Sequence, residues 1–186
     1  MMTANDEQPG WARLRSEYGP QLKLFRVRYD WMRNPRNQQE EAMIVLESAD
    51  AANVVACRAQ DQAILFVEQY RFGIGRHTLE LPGGMVDDGE QHLQAAQREL
   101  LEETGGEAAN WHFLGRIASN PVFQDSYIYH WLAEPVHIVQ PPTLDAGEDV
   151  HLRWIPQEEA EKMLHAGAFE HPHTISALLR YFNFDK

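Results

Sequence analysis

The stretch Gly84–Gly106 reads GMVDDGEQHLQAAQRELLEETGG, and its spacing decides the fold. Gly84 is followed six positions on by Glu90, eight further on by Arg98, and then by Glu99, Glu102, Glu103 and Gly105. At about 100° per residue on a helix, Glu99 and Glu103 fall about 40° apart, on one face. Leu93, Ala96, Leu100 and Thr104 form a separate, mostly apolar stripe suited to a core. Glu102 flanks the acidic face, and Arg98 lies further round. Carboxylates at this spacing repel one another, by a few tenths of a kcal/mol per exposed i,i+4 pair. A divalent cation removes that cost, and hard Mg²⁺ prefers carboxylate, carbonyl and phosphate oxygens. The stretch reads as half of a metal site.

The pattern Gx5Ex7REUxEExGU, with U an aliphatic residue, is the signature of the Nudix hydrolases. The chain resembles it at every fixed position and departs only at Gly106, where an aliphatic residue is usual. Leu81-Pro82-Gly83-Gly84 precedes the helix, and its glycines allow the backbone to approach a ligand closely. The order of segments is similar to the ADP-ribose pyrophosphatase branch of that family from roughly residue 21 onward. That resemblance implies an α+β fold, an α/β/α sandwich around a mixed sheet, with an N-terminal β-strand region.

The resemblance also implies roles. Glu99 and Glu103 would be the principal ligands of Mg²⁺, or of Mn²⁺ in its place, with Glu102 assisting and the carbonyl of Gly83 completing a shell. Glu90 and Arg98 would form a structural ion pair. Glu148, in the acidic stretch Asp145–Val150, is the candidate general base, and Glu99 is the alternative. Arg71 matches a phosphate-binding arginine; from the residues themselves, Arg76 is a further substrate candidate on a loop that could face solvent, and Glu80 either touches substrate or packs against Arg71. Trp31 is the aromatic candidate for stacking on a base. Pro121 falls where ADP-ribose hydrolases carry a proline, fifteen places beyond the motif, yet Ser126 stands where a glutamate is usual. The substrate class implied is a nucleoside diphosphate sugar, ADP-ribose or a hexose derivative. A homodimer joined through the N-terminal strands is implied too.

Composition bounds the rest. A chain of 186 residues supports one domain with a sizeable core and at most an added subdomain. The net charge of −12 argues against a nucleic-acid partner, because no basic surplus displaces counterions. No apolar run reaches the ~20 residues of a membrane helix, and residues 1–19 contain no signal-like segment. Cys57 is the one cysteine, which makes the cytoplasm the default compartment.

Along the chain, residues 1–20 read as a polar lead-in, 21–50 as an N-terminal β region for dimerisation, and 51–186 as the hydrolase domain. Strands are expected at 22–30, 42–47, 53–58, 63–69, 78–81, 111–118, 126–132 and 150–155. Helices are expected from Pro156 toward a stop at Gly167, and over 174–182. His171-Pro172-His173 reads as a surface loop, and Glu158, Glu159, Glu161 and Lys162 as the wet face of a helix. Two function classes follow: a Mg²⁺-dependent pyrophosphatase, or a fold kept as a nucleotide-sugar sensor. The intact glutamate set favours the first.

Overall fold

The computed structural model describes residues 10–144, 147 and 149–183. The chain divides into two compact units. One runs to Ser48 and includes Asn120–Ser126; the other comprises Ala49–Ser119 and the chain from Tyr127 onward.

The larger unit is built on strands β4 (Ala51–Cys57), β5 (Ala63–Arg71), β6 (Arg76–Glu80), β7 (Gly83–Met85), β8 (Gly106–Ala118), β9 (Tyr127–Ile138) and β10 (Val150–Pro156). They form one sheet in the order β10-β5-β4-β9-β8, with β6 beside β5 and β7 beside β4. β4 and β9 run parallel and the other pairs antiparallel, so the sheet is mixed. Six consecutive residues of β4 are buried, as a central strand covered on both faces requires. Ala52, Val54 and Ala56 pack with Ala95, Ala96 and Leu100 of helix α1 (His92–Thr104). Val55 and Cys57 face the opposite layer, with Ala160 of α2 (Gln157–His165) and Ala177 and Leu178 of α3 (Pro172–Tyr181). The period of two along β4 thus feeds two cores and makes the α/β/α sandwich.

α1 starts at Gln91, whose backbone amide donates to the Gln94 side chain at 3.0 Å. It ends at Gly105, which adopts the left-handed conformation at φ +70°. A Cβ there would also strike the Gln140 carbonyl, so only glycine fits the stop. β8 begins at Gly106, directly after this stop, five residues earlier than the expected 111. β9 runs past Pro135 to Ile138. Pro156, expected as the first residue of α2, is instead its N-cap. β7 was not foreseen; three residues with two glycines carry too little pattern to read.

In the smaller unit β1 (Ala12–Gln21), β2 (Arg26–Arg33) and β3 (Glu40–Glu47) make an antiparallel sheet. Asn120–Ser126 joins it where the Leu46 amide donates to the Phe123 carbonyl at 2.7 Å. β1 overlaps the expected lead-in. Cross-strand contacts hold this polar strand: Arg26 lies 3.5 Å over the Tyr18 ring, Arg15 lies 4.0 Å over Trp31, and Ser16 Oγ donates to Asp30 at 2.6 Å. Leu14, Tyr18, Leu22, Leu24 and Ile44 stay exposed on this unit. Among the described residues, no helix is long and apolar enough to cross a membrane.

Candidate active site

Two carboxylates of α1 close on two consecutive glycines. The amide of Gly83 donates to Glu103 Oε2 at 2.8 Å, and Gly84, lacking a side chain, leaves room for the Glu99 carboxylate. Gly83 pairs with Asn53 and Gly84 with Ala52 across β4 and β7, so the sheet presents both glycines to the helix. A Cβ on Gly83 would lie 2.2 Å from the Ala52 carbonyl oxygen, so this approach tolerates glycine only. Glu103 is buried at 5% exposure, whereas the Glu102 side chain is 47% exposed. The helix therefore grades from a buried acid at its core edge to a solvated one.

Arg98 gathers the other acids. Its Nε and Nη2 donate to the two oxygens of Glu90 at 3.0 Å each, and Nη1 donates to Glu99 at 2.8 Å and to Glu102 at 3.1 Å. Nη2 also donates to the Met85 carbonyl at 2.9 Å, so Arg98 ties α1 to the end of β7. Glu90 accepts from the Asp87 amide as well, at 3.0 Å. The hydrogen bonds to Glu90 raise the Arg98 pKa above the ordinary guanidinium value against the opposing effect of burial, with help from Glu99 and Glu102. The same bonds hold Glu90 below the usual carboxylate range. Charge repulsion along the acidic face is thus offset within the protein itself.

Hard oxygen donors gather here in the Glu99 and Glu103 carboxylates, set against the backbone of Gly83 and Gly84. Among the described residues, no three acidic, histidine or cysteine side chains converge at ligand spacing. An ion at this place would complete its shell with backbone carbonyl, water or phosphate oxygens, as Mg²⁺ commonly does. On that count the residues fit a divalent metal. Nudix hydrolases generally use one.

The substrate candidates fall in two places. Arg71, at the end of β5, donates to both oxygens of Glu80 at 2.7 and 2.6 Å. Glu80 is 1% exposed, and its carboxylate also meets the Thr78 hydroxyl and His171 Nδ1, the latter at 3.1 Å. Burial would raise the Glu80 pKa; the bonds from Arg71, with His171 and Thr78, hold it lowered. Its carboxylate aims Arg71, whose own side chain is 43% exposed and can meet a ligand. Arg76 pairs with Glu170 on an exposed edge. Trp31 belongs to the smaller unit, where its indole lies under Arg15 and its Nε1 is buried with no hydrogen-bond partner among the described residues. Glu148 lies outside the described residues.

The sequence reading missed one group. His171 and His173, expected on a surface loop, turn inward at the start of α3 with ring centroids 5.0 Å apart. Burial lowers the His171 pKa to about 4, against the raising charge of Glu80, and lowers His173 too. His130 is fully buried between Asn53 Oδ1 at 2.7 Å and Ser176 Oγ at 2.9 Å, and burial lowers it to about 4. No local spacing announces these contacts, because their partners lie far along the chain.

Comparison with known proteins shows the family and the fold. The NUDIX domain matches residues 47–178. The chain is 31% identical over 160 residues to the ADP-ribose pyrophosphatase of Mycobacterium tuberculosis, covering 84% of this chain and 75% of that protein. It is 34% identical over 119 residues to the CMP-5'-(N-acetyl-N-hydroxy-3-aminopropyl)phosphonate hydrolase of Streptomyces rubellomurinus. That match covers 64% of this chain and 57% of the relative's length. The crystal structure of an ADP compounds hydrolase superposes with a TM-score of 0.80 at 21% identity, over 97% of this chain and 96% of the other. At that identity the likeness speaks for the fold. With its glutamate helix closed on Gly83 and Gly84 and the NUDIX domain matched over 47–178, the chain belongs to the Nudix hydrolase family.

Proposed function

We propose that this protein hydrolyses the pyrophosphate bond of a nucleoside diphosphate sugar, ADP-ribose or a nucleoside diphosphate hexose, to a nucleoside monophosphate and a sugar phosphate. The observation that carries the reading is the closure of Glu99 and Glu103 on Gly83 and Gly84, with Arg71 aimed by a buried Glu80 on the strand just before them. Similarity to the ADP-ribose pyrophosphatase of Mycobacterium tuberculosis supports the substrate class.

Glu99, Glu103 and the Gly83 carbonyl would hold Mg²⁺, with Glu102 at the solvated side. The bound ion would polarise phosphoryl oxygens and acidify a water. Arg71 binds and orients the diphosphate, since a planar guanidinium matches phosphate oxygens. Such hydrolysis needs little covalent chemistry from the protein, so positioning and charge neutralisation contribute most of the acceleration. Glu148 takes the proton from the attacking water. The described chain ahead of it is tied to α1, the Thr143 amide donating to the backbone carbonyl of Glu102 at 2.7 Å.

The smaller unit serves a homodimer in this reading, supported by exposed Leu14, Tyr18 and Ile44 on its sheet; light scattering tests that state. Trp31 on β2 contributes an aromatic face for the base. Cys57, buried with its thiol raised to about 11 by burial, takes no part, which suits a cytoplasmic enzyme. The decisive assay incubates the protein and Mg²⁺ with ADP-ribose, GDP-mannose, UDP-glucose and dinucleotides, and identifies products by mass. Absence of cleavage of every nucleotide sugar by the folded protein overturns the reading.

A further inference from the structure

A second polar cluster, separate from α1, closes on the strand that leads into the glycines. The segment from Phe169 to Ser176 lies along β6 and β4 and is fastened at several points. Phe169 stacks on Phe66 of β5 at 5.3 Å. Glu170 pairs with Arg76. His171 Nδ1 lies 3.1 Å from Glu80 Oε2 and 3.1 Å from Thr174 Oγ1. Thr174 is wholly buried, and its hydroxyl oxygen accepts the Leu81 amide at 3.1 Å. The Asn53 side-chain amide donates to the His173 carbonyl at 3.2 Å.

These contacts converge on one short piece of backbone. Leu81 is held by Thr174, the Pro82 carbonyl accepts from Val54 at 2.9 Å, and the Gly83 amide is held by Glu103. Three consecutive residues are thus fixed by three different elements, α3, β4 and α1. Packing alone does not account for the choice of threonine. A buried hydroxyl costs free energy unless it is hydrogen-bonded, and this one is placed where it satisfies a backbone amide that β6 leaves unpaired. Equally, Glu80 receives His171 on the oxygen that also takes the Arg71 Nη2.

We propose that Thr174 and His171 are positioning residues for the proposed hydrolysis: Thr174 fixes the Leu81 amide, two residues before Gly83, and so the lead-in that sets the Gly83 carbonyl, and His171 fixes the carboxylate that aims Arg71. The assignment rests on Gly83 as a metal ligand and Arg71 as a phosphate contact. Removal of Thr174's hydroxyl then disturbs metal binding and turnover, whereas removal of His171's ring nitrogen disturbs substrate binding.

The test measures Mn²⁺ affinity from the spectrum of unbound Mn²⁺, together with kcat and KM, on the whole chain. Groups that orient a ligand commonly alter metal affinity or activity by about ten- to a hundredfold when removed. Thr174→Val is expected to weaken Mn²⁺ binding and lower kcat on that scale with KM nearly unchanged, and Thr174→Ser to restore both. His171→Leu is expected to raise KM with Mn²⁺ affinity unchanged, and His171→Asn, which can donate from the same place, to recover it. A Thr174→Val protein with the near-UV spectrum of the parent and its Mn²⁺ affinity and kcat overturns the role of Thr174. Should Thr174→Val not fold, His171→Leu decides: a lowered melting temperature with KM unchanged overturns the proposal. A parent chain that neither binds Mn²⁺ nor cleaves any nucleotide sugar sinks the proposed function, a result read before any variant is made.

Discussion

The carboxylate of Glu99 stands where a side chain on Gly84 would have to be: a Cβ there would lie 2.3 Å from its Oε1. At Gly83 the obstacle is of another kind, the Ala52 carbonyl at 2.2 Å. A carboxylate at the end of a flexible side chain can swing away, and a strand carbonyl cannot. Gly84→Ala is therefore expected to fold with a melting temperature close to the parent's while losing most of its kcat. Gly83→Ala is expected to lose about 1–3 kcal/mol of stability from overpacking. For a chain of this size that corresponds to a melting temperature lower by roughly 2–12 °C. Steady-state kinetics and thermal melts on the two variants check the contrast.

Glu103→Gln keeps an oxygen to accept the Gly83 amide but removes the charge. Turnover is expected to fall by orders of magnitude while circular dichroism stays that of the parent. Near-normal kcat in a well-folded variant would remove Glu103 from the metal site.

Chelation should separate chemistry from folding. Arg98 already offsets Glu90, Glu99 and Glu102, so the acidic face does not need an ion to fold. Treatment with EDTA is expected to abolish hydrolysis and leave the melting temperature within a few degrees; added Mg²⁺ or Mn²⁺ restores activity. A chelated protein that unfolds would contradict the role given to Arg98.

Acid should weaken the fold through buried imidazoles. In the folded chain His130 and His171 titrate near about 4, chiefly because burial disfavours their charged form, whereas unfolded histidine titrates near 6.5. Between those values the unfolded chain binds more protons, so stability rises with pH. The contribution is complete above about pH 7 and is lost as pH falls toward 4, by up to about 1.4 kcal/mol per pH unit for each histidine. Urea midpoints between pH 7.5 and 4.5 check the slope. A His130→Asn, His171→Asn double variant is expected to flatten it.

What could be read from the sequence was what local spacing encodes. The α1 face and its buried stripe depend on residues three and four apart, and Ala96, Leu100 and Thr104 are buried as that period requires. The two-sided burial of β4 follows from its mostly apolar run, which Asn53 alone interrupts. β1 escaped because its stability lies across the strand pair, in Arg26 over Tyr18 and Ser16 on Asp30, which no pattern along one strand displays. The pair at 171 and 173 was misread for the same reason at longer range: His171 meets Glu80, and the His173 carbonyl takes the Asn53 side chain 120 positions away. Glu103 showed in the spacing as an acid, but its bond to the Gly83 amide needed the fold.

The bond from the Thr143 amide to the Glu102 carbonyl acts as a leash. With the Val139 amide on the Gly105 carbonyl at 2.8 Å, it keeps residues 139–143 against the C-terminal end of α1. Because closing a loop becomes only slowly more costly with its length, about 0.6 kcal/mol per doubling, residues could be added beyond Thr143 with little penalty. Chain length beyond that anchor can thus change from one related chain to another while the end of α1 keeps its tether.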